Sequence, residues 1–308
     1  MLPGECAGCG RARTVLCARC REALSGREAR WVRPRGRQAG LPPVCAAGPY
    51  AGAVREVLLA HKERGALGLV GALGVGLARA VGVGLGEVGA VSGWGSDASG
   101  EAAGRLGGDG AGGVVLGAGG SGAGVRGGVL GRGGAGEVVL GARGRGVSAA
   151  GAVGEVLIVP VPSGRRVVRA RGHDPVRRVA LVAAGVLRRG GVKVRVASVL
   201  RQRAGVADQA GLGFRERREN LAGALRVSGA GARVLRGRAV VLVDDIVTTG
   251  ASLAEAARVV GEACEGGGEE VSGEVAREGP GRVERRRRGV LCAAVVAGSP
   301  DSFEINRN

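Results

Sequence analysis

The sequence predicts an α/β fold: a parallel sheet flanked by helices, with a small cysteine-paired knuckle at its start. Three observations predict it. Beyond residue 155, short β-branched apolar runs alternate with stretches of helical periodicity, the order of a parallel sheet built through crossover helices. Four of the 7 cysteines fall within the opening residues as two Cys-x-x-Cys pairs. Two glycine-rich stretches, residues 82–151 and 265–289, are too poor in side chains to build a core and divide the chain into ordered blocks.

The first block is the knuckle. Cys6 and Cys9 form one pair, Cys17 and Cys20 the other, with a short spacer between them. Four converging sulfurs suit tetrahedral Zn²⁺, and four protein ligands leave no open position, so the expected role is structural. Arg11, Arg13, Arg19 and Arg21 surround the pairs and favour the thiolate form. A redox disulfide is the competing reading, and two pairs this close argue against it. Clustered cysteines of this kind point to a reducing compartment and a cytoplasmic protein. Residues 27–43 read as a basic, proline-containing connector, so the knuckle and connector (1–43) precede the main domain (44–308).

Val54, Val57 and Leu58 recur at helical spacing and predict a helix ending near the turn at residues 61–65. A second apolar helix follows from Leu67 to about Val81. The apolar run at 66–78 is too short to cross a bilayer and Arg79 closes it, so no membrane span and no secretory signal are expected. In residues 82–151, 28 of 70 positions are glycine without a Gly-X-Y period, which predicts a flexible insertion and excludes collagen.

Order returns with an apolar strand at 156–161, closed by Pro160 and Pro162. A helix is expected at 176–187, a strand at 192–200, and a polar helix or loop–helix element at 214–225. The last elements are a fully apolar strand at 239–243, a helix at 253–264 and a buried strand at 290–297. Residues 265–289, ending in Arg285, Arg286, Arg287 and Arg288, read as a second flexible insertion.

The sharpest chemical signal lies in residues 240–252. Four apolar residues, Val240 to Val243, are followed by Asp244 and Asp245, at the strand end where open α/β sheets place ligands. Thr248, Thr249 and Gly250 then turn the chain into a helix starting near Ser252. The free amides and dipole of a helix start favour a phosphate. Two carboxylates beside a phosphate make sense if they accept hydrogen bonds from sugar hydroxyls, or engage a sugar-bound Mg²⁺. The pattern therefore fits a sugar phosphate better than a bare phosphate, with a simple helix cap as the bland alternative.

The net charge of +18 implies attraction to polyanions: phosphorylated small molecules, nucleic acid or an acidic membrane surface. Codon usage in a GC-rich genome accounts for the choice of arginine over lysine, Lys62 and Lys193 being the only lysines, but not for the sign of the charge. Residues 156–207 hold twelve Arg or Lys against one acid, Asp174. A solvated basic face explains most of these. Aromatic residues are only 2% of the chain, which weakens a base-stacking, single-strand reading. His61 and His173, the only histidines, read as turn or packing residues.

Residues 240–252 resemble the phosphoribosyl-pyrophosphate loop of type I phosphoribosyltransferases at every position of that motif. The resemblance implies a type I phosphoribosyltransferase-like fold. It assigns Asp244 and Asp245 to the ribose hydroxyls as the catalytic pair. It also assigns Thr248, Thr249, Gly250, Ala251 and Ser252 to the 5-phosphate of phosphoribosyl pyrophosphate, bound with Mg²⁺. Facing them, Ser163 and Gly164 would supply amides, and Arg165 and Arg166 guanidinium forks, for the pyrophosphate.

Three further segments resemble the ComF family of phosphoribosyltransferase-like proteins. They run from Pro49-Tyr50 to His61-Lys62, from Val159-Pro160-Val161-Pro162 to Arg171-Gly172-His173, and from Asp208-Gln209 to Asn220-Leu221. The paired cysteines also fit that layout. By resemblance alone, Arg217 and Asn220 would belong to a hood over the site. Where the family often carries Phe-Asn-Gln after the Arg-Gly of the second segment, this chain has His173-Asp174-Pro175. Some members are linked to competence for DNA uptake, so the alternative function is a non-catalytic accessory protein handling DNA or competence-machinery proteins.

Overall fold

The computed structural model describes residues 4–27, 29–35, 38–90, 154–164, 168–169, 172–203, 223–265 and 289–306. They form an α/β fold on a six-stranded sheet in the order β1-β2-β8-β7-β3-β4. Its strands are β1 (Arg30–Val32), β2 (Val44–Pro49), β3 (Val156–Pro160), β4 (Val194–Val196), β7 (Ala239–Val247) and β8 (Gly289–Gly298). Two short strands, β5 (Leu200–Gln202) and β6 (Leu225–Val227), make a separate antiparallel pair.

The sheet is mixed rather than fully parallel. β2, β8, β7, β3 and β4 run parallel, whereas β1 pairs antiparallel with β2. β1 comes from the stretch that reads as a connector, so residues 30–32 close the sheet edge beside β2 instead of merely linking two parts.

Period-two alternation explains how the sheet is covered. In β7, Val241 and Val243 face one apolar layer, and Val240 and Leu242 face the other. β3 and β8 divide in the same way: Val156, Ile158, Cys292 and Ala294 go to the first layer, and Leu157, Val159, Ala293 and Val295 to the second. The short α1 (Ala18–Ala23) and helices α2 (Gly52–Glu63), α3 (Val70–Glu87) and α4 (Pro175–Arg189) supply the first layer. Helix α6 (Ala251–Glu265), the short α5 (Gly229–Leu235) and Phe303 supply the second.

Helix α3 corrects the expected start of the first insertion at residue 82, because it continues to Glu87. Leu85 is fully buried, and Trp31 Nε1 donates to Glu87 Oε2 at 2.7 Å. The late glycines that read as linker allow close packing: a Cβ on Gly84 would lie 3.0 Å from Cys292 Sγ. By length and composition residues 67–87 could cross a membrane, yet Leu73, Leu77, Ala78 and Val81 are buried in the first layer. The strand expected at 192–200 is two strands, β4 in the main sheet and β5 outside it, separated by Ala197, Ser198 and Val199. The strand expected to stop at Val243 runs on through both carboxylates to Val247. Most of the element expected at 214–225 lies outside the described residues, and Leu225 begins β6.

The knuckle packs into the first layer. Cys6, Leu16, Cys17, Cys20 and Leu24 share that layer with Val54, Val57 and Leu58 of α2 and Leu73 and Leu77 of α3. Glycines permit the approach: a Cβ on Gly8 would lie 2.8 Å from Cys20 Sγ and 3.3 Å from Ala53 Cβ.

Candidate functional site

Chain order creates a crevice at one place on the sheet. From β3 the chain crosses through α4 on the first layer to β4; from β7 it crosses through α6 on the second layer to β8. The two connections leave neighbouring strands in opposite directions and on opposite faces. Their carboxyl ends therefore gape apart, the position at which open α/β sheets receive ligands. A cleft of about 540 Å³ opens there, lined by residues of the β3 exit (161–164), the β7 end, Thr248 and Ser252. Tyr50 and Lys62 close it from the α2 side.

Asp244 and Asp245 form the acidic wall. Asp245 is buried and its Oδ2 sits 2.7 Å from Lys62 Nζ. Asp244 Oδ1 accepts the Asp245 amide at 2.8 Å. Withdrawal from water, followed by repulsion from Asp245, pushes the Asp244 carboxyl well above its ordinary pKa. Burial works against the Lys62 ammonium, but Asp245 outweighs it and holds the pKa above the ordinary lysine value.

The turn after β7 presents its groups unequally. Thr248 and Ser252 line the cleft. Thr249 Oγ1 accepts the Ala251 amide at 3.3 Å and so caps the start of α6. The first helical bond runs from the Ala254 amide to the Gly250 carbonyl at 2.8 Å, so the Ser252 and Leu253 amides precede the helical ladder. Gly250 has φ +80, and a Cβ there would lie 2.7 Å from a Leu41 methyl. The backbone conformation therefore calls for glycine, whereas the Leu41 side-chain tip could swing aside.

Across the cleft, Ser163 and Gly164 line the opposite wall. Asp174 holds this loop: its carboxylate accepts the Ser163 amide and hydroxyl, each at 3.4 Å. The same carboxylate caps α4 through the Arg177 amide at 3.2 Å. Asp174 is thus a loop-positioning residue, a role the sequence does not reveal. Arg165, Arg166, Arg217 and Asn220 lie outside the described residues. The sequence also leaves Lys62 unmarked as a partner of Asp245, although its rarity in an arginine-rich chain is a usable signal. His61 is buried beside the cleft, and burial lowers its pKa, which favours a neutral ring.

The second cluster is the knuckle. The four sulfurs of Cys6, Cys9, Cys17 and Cys20 all lie within 4.8 Å of one another, with Cys9 and Cys17 3.6 Å apart. Tetrahedral Zn–S bonds of ~2.3 Å place sulfurs about 3.8 Å apart, so the cluster can hold a metal such as zinc. The Cys17 amide donates to Cys6 Sγ at 3.3 Å. Burial opposes the Cys6 thiolate, but the Cys17, Gly8 and Cys9 amides outweigh it and bring the pKa down to about 6, which favours a ligand-ready sulfur. Cys45 and Cys292 are buried in the first layer, away from this cluster, and burial raises both thiols.

No protein-family model matches the chain, and no curated protein matches it.

Proposed function

We propose that the cleft binds the ribose 5-phosphate group of phosphoribosyl pyrophosphate, or a related sugar phosphate, in a type I phosphoribosyltransferase-like protein of the ComF kind. The observation that carries this reading is the order of groups at the β3/β7 switch point. Asp244 and Asp245 stand on the cleft wall, and Thr248, Ser252 and the amides of a helix start follow directly. Ribose hydroxyls would donate to the two carboxylates. The 5-phosphate would sit on the turn at 248–252, where the helix dipole and free amides favour negative charge.

Gly164 faces this turn across the cleft and would offer its amide to the pyrophosphate, while Ser163, whose amide and hydroxyl donate to Asp174, would hold the loop in place. The carboxylates and cleft oxygens are hard donors suited to Mg²⁺, which, bound with the pyrophosphate, would neutralise charge on the leaving group. Transfer to an acceptor would then break the C1–O bond to pyrophosphate and form a bond from C1 to the acceptor nucleophile. The acceptor loses a proton and pyrophosphate leaves with the bonding pair. Positioning and charge stabilisation would carry such a step. Zinc in the four-cysteine knuckle would have a structural role.

The test is calorimetric titration of the zinc-loaded protein with phosphoribosyl pyrophosphate and Mg²⁺. The Asp244→Asn/Asp245→Asn double variant is the control. Binding by the wild type that disappears in the variant supports the reading. No binding by a folded wild type refutes it and leaves DNA or protein partners as the alternative.

A further inference from the structure

Lys62 enters the cleft from the end of α2, and its ammonium lies 2.7 Å from Asp245 Oδ2. Among the described residues lining the cleft it is the one cation, and Asp244 and Asp245 are the two acids. Asp245 is only 7% exposed, so water does little to screen it, and the neighbouring ammonium supplies its main compensation. A positive charge thus already stands where two adjacent carboxylates would otherwise draw a metal ion.

The identity of this cation matters. The chain carries 45 Lys and Arg residues, and only Lys62 and Lys193 are lysines. A guanidinium would grip a carboxylate through a fixed bidentate fork. An ammonium is a point charge on a flexible stem, with three donors that can be shared or redirected. It can therefore neutralise Asp245 in the empty cleft and still give up one contact when a ligand arrives.

Resting on the sugar-phosphate reading above, we infer that Lys62 is a specificity-determining residue: it is the built-in counter-ion of the acidic pair, excludes a free divalent cation, and leaves the carboxylates to accept hydrogen bonds from a neutral sugar diol. A divalent ion then enters with the phosphates of the ligand, which bring the negative charge needed to hold it, and not ahead of them. Removing Lys62 has two opposite effects. The uncompensated carboxylates attract a bare divalent ion more strongly, and they repel a metal-free sugar phosphate, whose own charge is negative.

The experiment uses the zinc-loaded full chain, with Mn²⁺ alone as a paramagnetic probe read by electron spin resonance. Metal-free ribose 5-phosphate is titrated separately by calorimetry. Lys62→Met is expected to bind Mn²⁺ at least about ten-fold more tightly than the wild type, and ribose 5-phosphate about ten-fold more weakly. Lys62→Arg, which keeps the charge, should exclude Mn²⁺ as the wild type does. Adding Asp244→Asn/Asp245→Asn to Lys62→Met should abolish the gain, which assigns the Mn²⁺ to this cleft. Equal Mn²⁺ affinity in wild type and a folded Lys62→Met, checked by circular dichroism, overturns the inference. A Mn²⁺ gain in a protein whose wild type binds neither ribose 5-phosphate nor phosphoribosyl pyrophosphate with Mg²⁺ upholds the exclusion of metal by Lys62 and refutes the sugar-phosphate reading.

Discussion

Glycine-to-alanine changes within α3 should act in opposite directions depending on which side of the helix they fall. A Cβ at Gly74 would overlap Val182 Cγ1 and lie 2.6 Å from Val182 Cβ. Carbon atoms pack at about 3.5–4.0 Å, so the overlap is on the order of 1 Å. Val182 is β-branched and its Cβ is tied to the α4 backbone, so the contact is not relieved by swinging a side-chain tip. The helices must separate, at an overpacking cost near the upper end of about 1–3 kcal/mol. Alanine returns at most ~1 kcal/mol through better helix propensity. Gly74→Ala should therefore lose about 2 kcal/mol.

Gly71 and Gly86 lie in the same helix, and a Cβ added at either would meet nothing within 4 Å. Alanine there should be neutral or stabilising by up to about 1 kcal/mol. Urea denaturation of the three variants, analysed with a shared m-value, measures the differences. Val182→Ala should recover only part of the loss at Gly74, because the alanine Cβ remains in place. If Gly74→Ala matched Gly71→Ala in sign, the close α3–α4 approach and its role in the first layer would be refuted.

Other expectations follow from the knuckle, the Asp174 bridge and the buried acids. Loading the four-cysteine cluster with zinc should raise the thermal midpoint by more than ~10 °C, reversibly on chelation, because structural zinc contributes folding free energy and Cys6, Cys17 and Cys20 belong to the first layer; an unchanged midpoint would refute this coupling. Asp174→Ala should cost about 1 kcal/mol in urea denaturation through loss of the α4 cap, and should also weaken ligand binding several-fold in calorimetry by freeing Ser163. Burial opposes Glu255 ionisation, but hydrogen bonding and charge from Arg258 outweigh it and hold its pKa below the ordinary value. Its stabilising effect is present above the unfolded-state pKa and fades as pH falls through the folded one, so Glu255→Gln should flatten the loss of stability below about pH 5. Asp244 has the opposite sign: its raised pKa means that stability declines as pH rises from the unfolded value through the folded one. Asp244→Asn should therefore raise the urea midpoint at pH 7 while weakening ligand binding.

The elements easiest to read in the sequence are those buried on both sides. β3, β7 and β8 are apolar almost throughout, because helices cover both faces of the sheet centre. β2 escapes a reading by pattern because Val44-Cys45-Ala46-Ala47-Gly48-Pro49 has little β propensity of its own; β1 and β8 on either side hold it extended. The end of α3 misleads because glycine lowers helix propensity, whereas here glycines let the helix approach the sheet. Within the site, the β7 turn and α6 are legible because strand, acids, turn and helix are contiguous. The Lys62–Asp245 ion pair and the Ser163–Asp174 bridge join distant or unmarked positions, and only the fold brings them together.

The ends of the two glycine-rich stretches lie far from the cleft. Near the end of α3, Gly84 packs against Cys292, and near the end of α6, Cys264 donates to the Leu235 carbonyl at 3.6 Å. The chain returns at the starts of β3 and β8, which stand in register with the start of β7. Departure and return are therefore both at the amino edge of the strands, while the cleft is at the carboxyl edge. Loop-closure entropy grows only logarithmically, by about 0.6 kcal/mol per doubling of length. That edge is consequently a permissive docking point for added sequence: a fluorescent reporter or affinity module spliced there should leave the cleft's geometry intact, whereas the same cargo at residues 161–164 would dismantle it.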